Sequence, residues 1–179
     1  MASFPSQATA SIGKGELYLR LQVQAGLSVV LPMQFAQEAL IVSPQQFTLL
    51  PNQPAWALGL FNYRSRVIGS LDLPQFLGRD PLDFGLPDYH LVVVRQGAVG
   101  LGLAVPLVRG VTRISTDPIQ SLSELVLDWP ASSHVFFSGY LWDGAERLWI
   151  LDVSTLILRI VESMIPQRLS SVSRAHASG

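Results

Sequence analysis

The elements of this chain come twice, and that duplication restricts the fold more than any other feature of the sequence. Residues 59–77 and 139–157 follow one plan. Each begins with a glycine at the head of an apolar strand and turns at a polar corner, Tyr63-Arg64-Ser65 in one and Asp143-Gly144-Ala145 in the other. Each then runs apolar residues into an aspartate, Asp72 or Asp152, and closes on an apolar pair, Phe76-Leu77 or Leu156-Ile157. The separation from glycine to aspartate is the same in both. Upstream, residues 27–32 and 100–106 each end a strand at a proline, and a further strand candidate follows each.

Local patterns fill in the plan. Residues 16–23 alternate, with Leu17, Leu19, Leu21 and Val23 on one face and Glu16, Tyr18, Arg20 and Gln22 on the other, as a half-buried strand requires. Gln24-Ala25-Gly26 turns the chain and 28–31 returns as the partner strand. Pro32 ends that pairing, because it has no N–H to give. Residues 33–40 are expected to form only a helical turn or two. Strands are expected at 56–63 and 67–71, then a short helix at 73–77 stopped by Gly78. The Pro/Gly/Asp-rich loop 79–88 joins the halves. A hairpin at 91–95 and 99–105, a strand at 108–114 and a loop over most of 115–133 follow. Residues 135–142 and 147–151 pair across Asp143-Gly144, a strong hairpin signal. Asp152 caps a final helix whose Val153, Leu156, Ile157 and Ile160 share a face. Asp72 and Asp152 thus read as helix caps, not catalytic acids.

Each half is then a hairpin, a third strand, a strand pair and a short helix. Five strands closing on themselves make a small barrel without exposed edges, and two such barrels gain by sharing a core. The expected layout is a flexible 1–14, a domain over 15–165 (first barrel about 15–80, second about 88–155, strands open to exchange) and a mobile tail at 166–179.

Composition narrows the function. The 179 residues are 49% hydrophobic and 14% charged, with mean hydropathy +0.35, which excludes a disordered chain. The net charge is -1 and Lys14 is the single lysine, so no basic patch invites nucleic acid. The absence of cysteine excludes disulfides, thiolate zinc and a cysteine nucleophile, and fits a reducing compartment. Residues 1–11 lack the order of a signal peptide. The longest apolar stretch, 99–108, is broken by Gly100, Gly102 and Pro106 and falls well short of the roughly 20 residues that span a bilayer. These features lead to the expectation of a soluble, cytoplasmic protein without membrane insertion, its hydropathy held in core or in surface kept for partners. His90, His134 and His176 have no metal-ligand spacing. There is no Gly-x-Ser-x-Gly elbow and no phosphate loop, and Gly100-Leu101-Gly102 lacks the third glycine of a dinucleotide fingerprint. No catalytic residue, metal or cofactor is expected.

The run Leu58-Gly59-Leu60-Phe61-Asn62-Tyr63-Arg64, with Leu71-Asp72-Leu73 after it, resembles the CheW family, which carries Gly-apolar-x-Asn-apolar-Arg-Gly and then an apolar strand ending in Asp-Leu. Residues 31–40 with Gln37-Glu38, the proline-flanked 51–56, the strand at 99–112 and the closing 139–156 are similar to further family segments in the family's order. The likeness covers roughly 15–160. It departs at Ser65, where the motif has glycine, and at Pro106, where an acid is usual.

The resemblance implies an all-β fold with short helices, built as two intertwined five-stranded SH3-like β-barrels. It also implies a non-enzymatic adaptor between methyl-accepting chemoreceptor tips and a CheA-like histidine kinase, in chemotaxis or in pilus or phototaxis motility. Such adaptors sit at membrane-associated receptor arrays and can self-associate there. The implied receptor-binding residues are Glu38 and Arg64, set near each other, with Asn62, Phe35, Leu60 and Val67, the apolar three forming a groove for an amphipathic receptor helix. Read from residue chemistry alone, Glu38 and Arg64 are a surface ion pair of about 0–1 kcal/mol. On the same basis Asn62 bonds its own turn, and Phe35, Leu60 and Val67 pack in the core. Trp56 and Trp142 are either interface anchors or barrel core. Two other readings remain: a duplicated barrel holding a small ligand in a closed apolar pocket, and an enzyme with acids or histidines converging in a cleft.

Overall fold

A computed structural model describes residues 15–115, 119–122 and 128–164. The ends expected to be flexible, 1–14 and 166–179 with His176, lie outside the described residues, as does part of the loop expected at 115–133. The strands are β1 (Glu16–Gln24), β2 (Leu27–Pro32), β3 (Ala36–Val42), β4 (Ala57–Tyr63), β5 (Arg66–Asp72), β6 (Tyr89–Gln96), β7 (Val99–Val105), β8 (Leu107–Ile114), β9 (Phe137–Asp143) and β10 (Glu146–Leu151). Helix α1 (Leu73–Phe76) follows β5, and α2 (Val153–Met164) follows β10. Each half therefore runs hairpin, third strand, second hairpin, helix, as the repeat implied.

The halves exchange their first hairpins. One five-stranded sheet has the order β8-β1-β2-β10-β9 and the other β3-β6-β7-β5-β4. Counted within each half, these are the same order, so each half lends its first hairpin to the other's sheet. Each exchanged hairpin is joined to the other half on both sides, antiparallel at β1 with β8 and β6 with β3, parallel at β2 with β10 and β7 with β5; the pairings within each half are antiparallel.

Both faces of both sheets are buried over much of their area, because successive strand residues point to opposite sides. Leu21, Leu31, Leu71, Leu103, Trp149 and Leu156 belong to the large cluster that both sheets share. On the second sheet's far face Phe61, Ile68 and Leu91 form another cluster, and on the first sheet's far face Val30, Leu141 and Leu148 form a third. Among the described residues, no helix is long and apolar enough to cross a membrane.

Two expectations need correction. The barrels do not close by backbone ladders: β3 and β4 remain edges of one sheet, β8 and β9 of the other. The chain leading into β4 occupies the seam instead. Thr48 and Leu60 exchange N–H···O bonds of 2.8 Å, and Gln120 and Tyr140 do the same at 2.8 and 3.1 Å. Residues 33–40 hold most of a strand, not a helical turn. In β3 Ala36, Glu38 and Leu40 are half-buried while Gln37, Ala39 and Ile41 are exposed, and the strand pairs with β6 across a bulge between Ala36 and Glu38. Polar Glu38 on the inner face hides the alternation from a hydropathy reading.

The repeated glycine and aspartate have repeated physical causes. A Cβ at Gly59 would collide with the Thr48 carbonyl, and one at Gly139 would lie 2.8 Å from the Gln120 oxygen. Gly59 also sits at φ 109°, where side chains are strained. Asp72 accepts the backbone N–H of Gln75 at 2.9 Å, capping α1, and that of Leu82 at 2.7 Å, which ties down the loop between the halves. Asp152 accepts Thr155 N–H at 2.9 Å and its hydroxyl at 2.8 Å.

Gly59→Ala is expected to cost about 2 kcal/mol or more, from strain plus collision, and Gly139→Ala less, since its backbone is not left-handed and its carbonyl contact is less close; urea midpoints measure both. Burial raises the Asp72 pKa above its ordinary 3.8, against the pull of its two backbone bonds. A carboxyl held more protonated in the fold stabilises fully below 3.8 and loses that contribution as pH rises through the folded value. Asp72→Ala should therefore lower stability by about 2 kcal/mol, with a larger deficit in acid than at neutral pH; denaturation of both proteins across that range checks the sign.

Candidate functional site

The site grows from the corner between β4 and β5. Arg64 and Ser65 both take left-handed backbone, φ 44° and 63°, the geometry of a two-residue hairpin turn that matches strand twist. At the equivalent corner of the second half Gly144 adopts φ 61° without a side chain to strain. The turn throws Arg64 into solvent, where its guanidinium meets Glu38 of β3 at 3.0 Å. The Tyr63 hydroxyl donates to the same carboxylate oxygen at 2.9 Å, and the guanidinium lies 5.5 Å from the Tyr63 ring centroid. These three side chains span the gap between β3 and the β4–β5 corner that no ladder closes. The Arg64 side chain is 73% exposed and that of Glu38 31%, so solvent limits the pair to about 0–1 kcal/mol. Partial burial, then the bond to Glu38, raises the Tyr63 pKa, so the phenol keeps its proton and stays a donor at neutral pH.

Beside this rim lies an open groove of about 310 Å³, lined by Tyr63, Arg66, Val67, Gly69, Arg95 and Val99 among others. Val67 is 61% exposed. Leu60 stands opposite Gly69 and Asn62 opposite Val67 in the β4–β5 register, so both lie on the strand face that Val67 presents, the reverse of the face that carries Tyr63, Arg66 and Ile68. Phe35 is placed differently: it is half-buried against the large shared cluster, and its carbonyl accepts the Arg95 N–H at 2.9 Å. Its side chain is not part of the groove lining. The Asn62 side chain is exposed and has no hydrogen bond among the described residues, so positive φ at Arg64 and Ser65, not an Asn62 side-chain bond, makes the turn.

Sequence reasoning passed over Arg66, Arg95 and Val99. Arg95 and Val99 come from the second half and reach this groove only through the hairpin exchange. Trp56 packs edge-on against Phe76, ring centroids 5.0 Å apart, and Trp142 is 47% exposed with the Arg147 guanidinium 4.8 Å from its centroid. His90 Nδ1 accepts the Val108 N–H at 3.4 Å, and His134 Nε2 lies 3.1 Å from the Trp129 carbonyl oxygen. No group of three or more His, Asp or Glu among the described residues could hold a metal.

A duplicated all-β scaffold with an exposed charged rim and an open apolar groove defines a module built for interaction with other proteins. The profile of the CheW-like domain matches residues 17–172, and the chain belongs to that family of chemotaxis scaffold and adaptor proteins. Its fold is similar to the crystal structure of the scaffolding protein TtCheW from Thermoanaerobacter tengcongensis, with a TM-score of 0.66 and 18% identity over 76% of this chain and 88% of that one. No curated protein matches it in sequence.

At the corner, Ser65→Gly should stabilise by about 0.5–1 kcal/mol, the relieved left-handed strain exceeding the added chain entropy. A higher urea midpoint at unchanged slope is the expected reading.

Proposed function

We propose that this chain is a non-enzymatic adaptor, one domain over 15–165, that couples the cytoplasmic tips of methyl-accepting chemoreceptors to a CheA-like histidine kinase. The Glu38–Arg64 rim and the groove beside it are its receptor-docking site. One observation carries the reading: the ion pair bridges β3 and the β4–β5 corner at 3.0 Å, next to an exposed apolar groove. A pair this exposed contributes too little for the fold to depend on it, while a planar guanidinium on the rim is suited to bond carboxylates or carbonyls of a docking helix. Leu60, Asn62 and Val67 add the reverse face of the same hairpin to the docking surface, and Phe35 supports it by holding the end of β6 through Arg95. The adaptor works in the cytoplasm at membrane-associated receptor arrays, where copies can associate, and its output is flagellar, pilus-based or phototactic movement.

Arg64→Glu places two carboxylates together at the rim. It should weaken capture of a receptor-tip fragment by about tenfold or more and lower receptor-dependent kinase activation, while stability shifts by no more than about 1 kcal/mol. Pull-down, phosphorylation assay and thermal melt on one preparation separate these effects. Unchanged capture and unchanged activation would remove the site assignment.

A further inference from the structure

Each sheet holds one of the two smaller clusters on its far face, and beyond each cluster the strands end in a few polar side chains. The registers match these ends position by position. Gly69 stands opposite Leu101 where Trp149 stands opposite Val29, so Gly100 corresponds to Ser28, Ile68 to Leu148 and Arg66 to Glu146. On the neighbouring strand Val93 corresponds to Arg20 and Arg95 to Gln22. Alternation keeps each set on one face: Ile68 and Val93 lie in the cluster with Phe61, and Leu148 in the cluster with Val30. A Cβ at Gly100 would lie 3.4 Å from Ile68 Cγ2, so position 100 looks onto the same face.

The first sheet neutralises its own end. Arg20 reaches Asp143 at 3.0 Å and also bonds Glu146, and Arg109 Nε donates to the Gln22 side chain at 3.0 Å. The Arg20 bond, helped by Ser28 and by the charge of Arg109, holds the Glu146 carboxyl below its ordinary value against the desolvation of burial. Two arginines there meet two carboxylates.

The second sheet reverses the charge and removes the central side chain. Arg66 stands in place of Glu146, Arg95 in place of Gln22, and Gly100 in place of Ser28. Arg64, Arg66 and Arg95 surround one carboxylate, Glu38, which Arg64 and the Tyr63 hydroxyl already engage at 3.0 and 2.9 Å. The Arg66 side chain makes no ion pair or hydrogen bond among the described residues, and that of Arg95 makes one, from Nε to the Gly97 carbonyl at 3.0 Å. The two arginines come from the strands on either side of β7, so their backbones stand about 10 Å apart, two strand spacings, with glycine between them. The cavity of about 310 Å³ lies here, with buried Ile68 and Val93 and the bare Gly100 as its floor.

We infer that this cavity is a binding site for a small organic acid. The carboxylate lies over Gly100 between the Arg66 and Arg95 guanidinia, each a planar fork that matches carboxylate geometry. The apolar body of the acid rests on Ile68 and Val93. The volume falls at the lower end of the range for small-molecule sites. Inorganic phosphate satisfies the arginines but leaves the apolar floor uncovered. The site is separate from the docking role proposed above: the acid binds whether or not Glu38 and Arg64 receive a receptor.

Titration of the full chain with phenylacetate, cyclohexanecarboxylate and hexanoate, followed by NMR of the Ile68 and Val93 methyls and the arginine Nε–H groups, tests the site. At least one acid should shift the Ile68, Val93, Arg66 and Arg95 signals together and saturate. Its amide and inorganic phosphate should each need about tenfold or more concentration. Arg66→Glu and Arg95→Glu should each weaken binding by about tenfold or more. Gly100→Glu sets a carboxylate of the chain's own between the arginines and should abolish binding; if that variant does not fold, Arg66→Glu, at an exposed position, carries the test. Failure of all three acids, equal binding of acid and amide, or binding that survives Arg66→Glu would overturn the inference. So would shifts confined to the arginines, which mean ion pairing at the surface alone. If no acid binds while Arg66→Glu weakens receptor capture, the arginines serve a carboxylate of the partner and the small-molecule site falls. If an acid binds as described while Arg64→Glu leaves receptor capture unchanged, the small-molecule site stands and the docking assignment falls.

Discussion

The parallel pairing of β2 with β10 and of β5 with β7 is the contact on which the rest of the structure depends. Remove it and each sheet splits into a three-stranded piece and a two-stranded hairpin, the latter marginal at best on its own. Its cost lies in chain entropy, because the paired strands are far apart in sequence and their loops must close before the ladders form. The gain is a single core. Leu21 and Leu31 from the first hairpin, Leu103 from the exchanged one, and Trp149 and Leu156 from the closing segment meet in one cluster that neither half could bury alone.

Duplication has kept what the backbone needs and released what the surface carries. Gly59 and Gly139 admit the same close carbonyl approach, and Asp72 and Asp152 cap equivalent helices. Those constraints are steric or concern buried polar groups, so few residue types satisfy them. The mouths of the two halves carry no such restriction. One carries Arg147 over three aromatic rings on one face and Arg20 paired with Asp143 and Glu146 on the other, while the other leaves an open groove beside Arg66 and Arg95.

The elements whose cause is local were legible in the sequence. Alternation in β1, Asp143-Gly144 between β9 and β10, and the Asp72 and Asp152 caps each follow from a few neighbouring residues. The CheW-type motif added the intertwined fold and paired Glu38 with Arg64, which lie 3.0 Å apart. What escaped was set by long-range geometry. β3 is a strand because β6 pairs with it, not because its own hydropathy says so. The seam stays open because Thr48 and Gln120 occupy it, and no local pattern announces a single bridge. Arg95 and Val99 join the groove only once the hairpins have crossed.

The high mean hydropathy of +0.35 now has a physical location. A sheet with one solvated face needs polar residues at every second position, whereas here three clusters cover both faces of both sheets over much of their area. Val92, Val93 and Val94 show the consequence: three successive residues of β6, all buried, pointing alternately to two different cores. Most of the apolar content is thus accounted for by the fold itself. Exposed Val67 and Val99 are departures from that economy, and they line the same groove. Singly exposed apolar side chains are ordinary on any surface; these two come from opposite halves and meet at one groove only because the hairpins are exchanged.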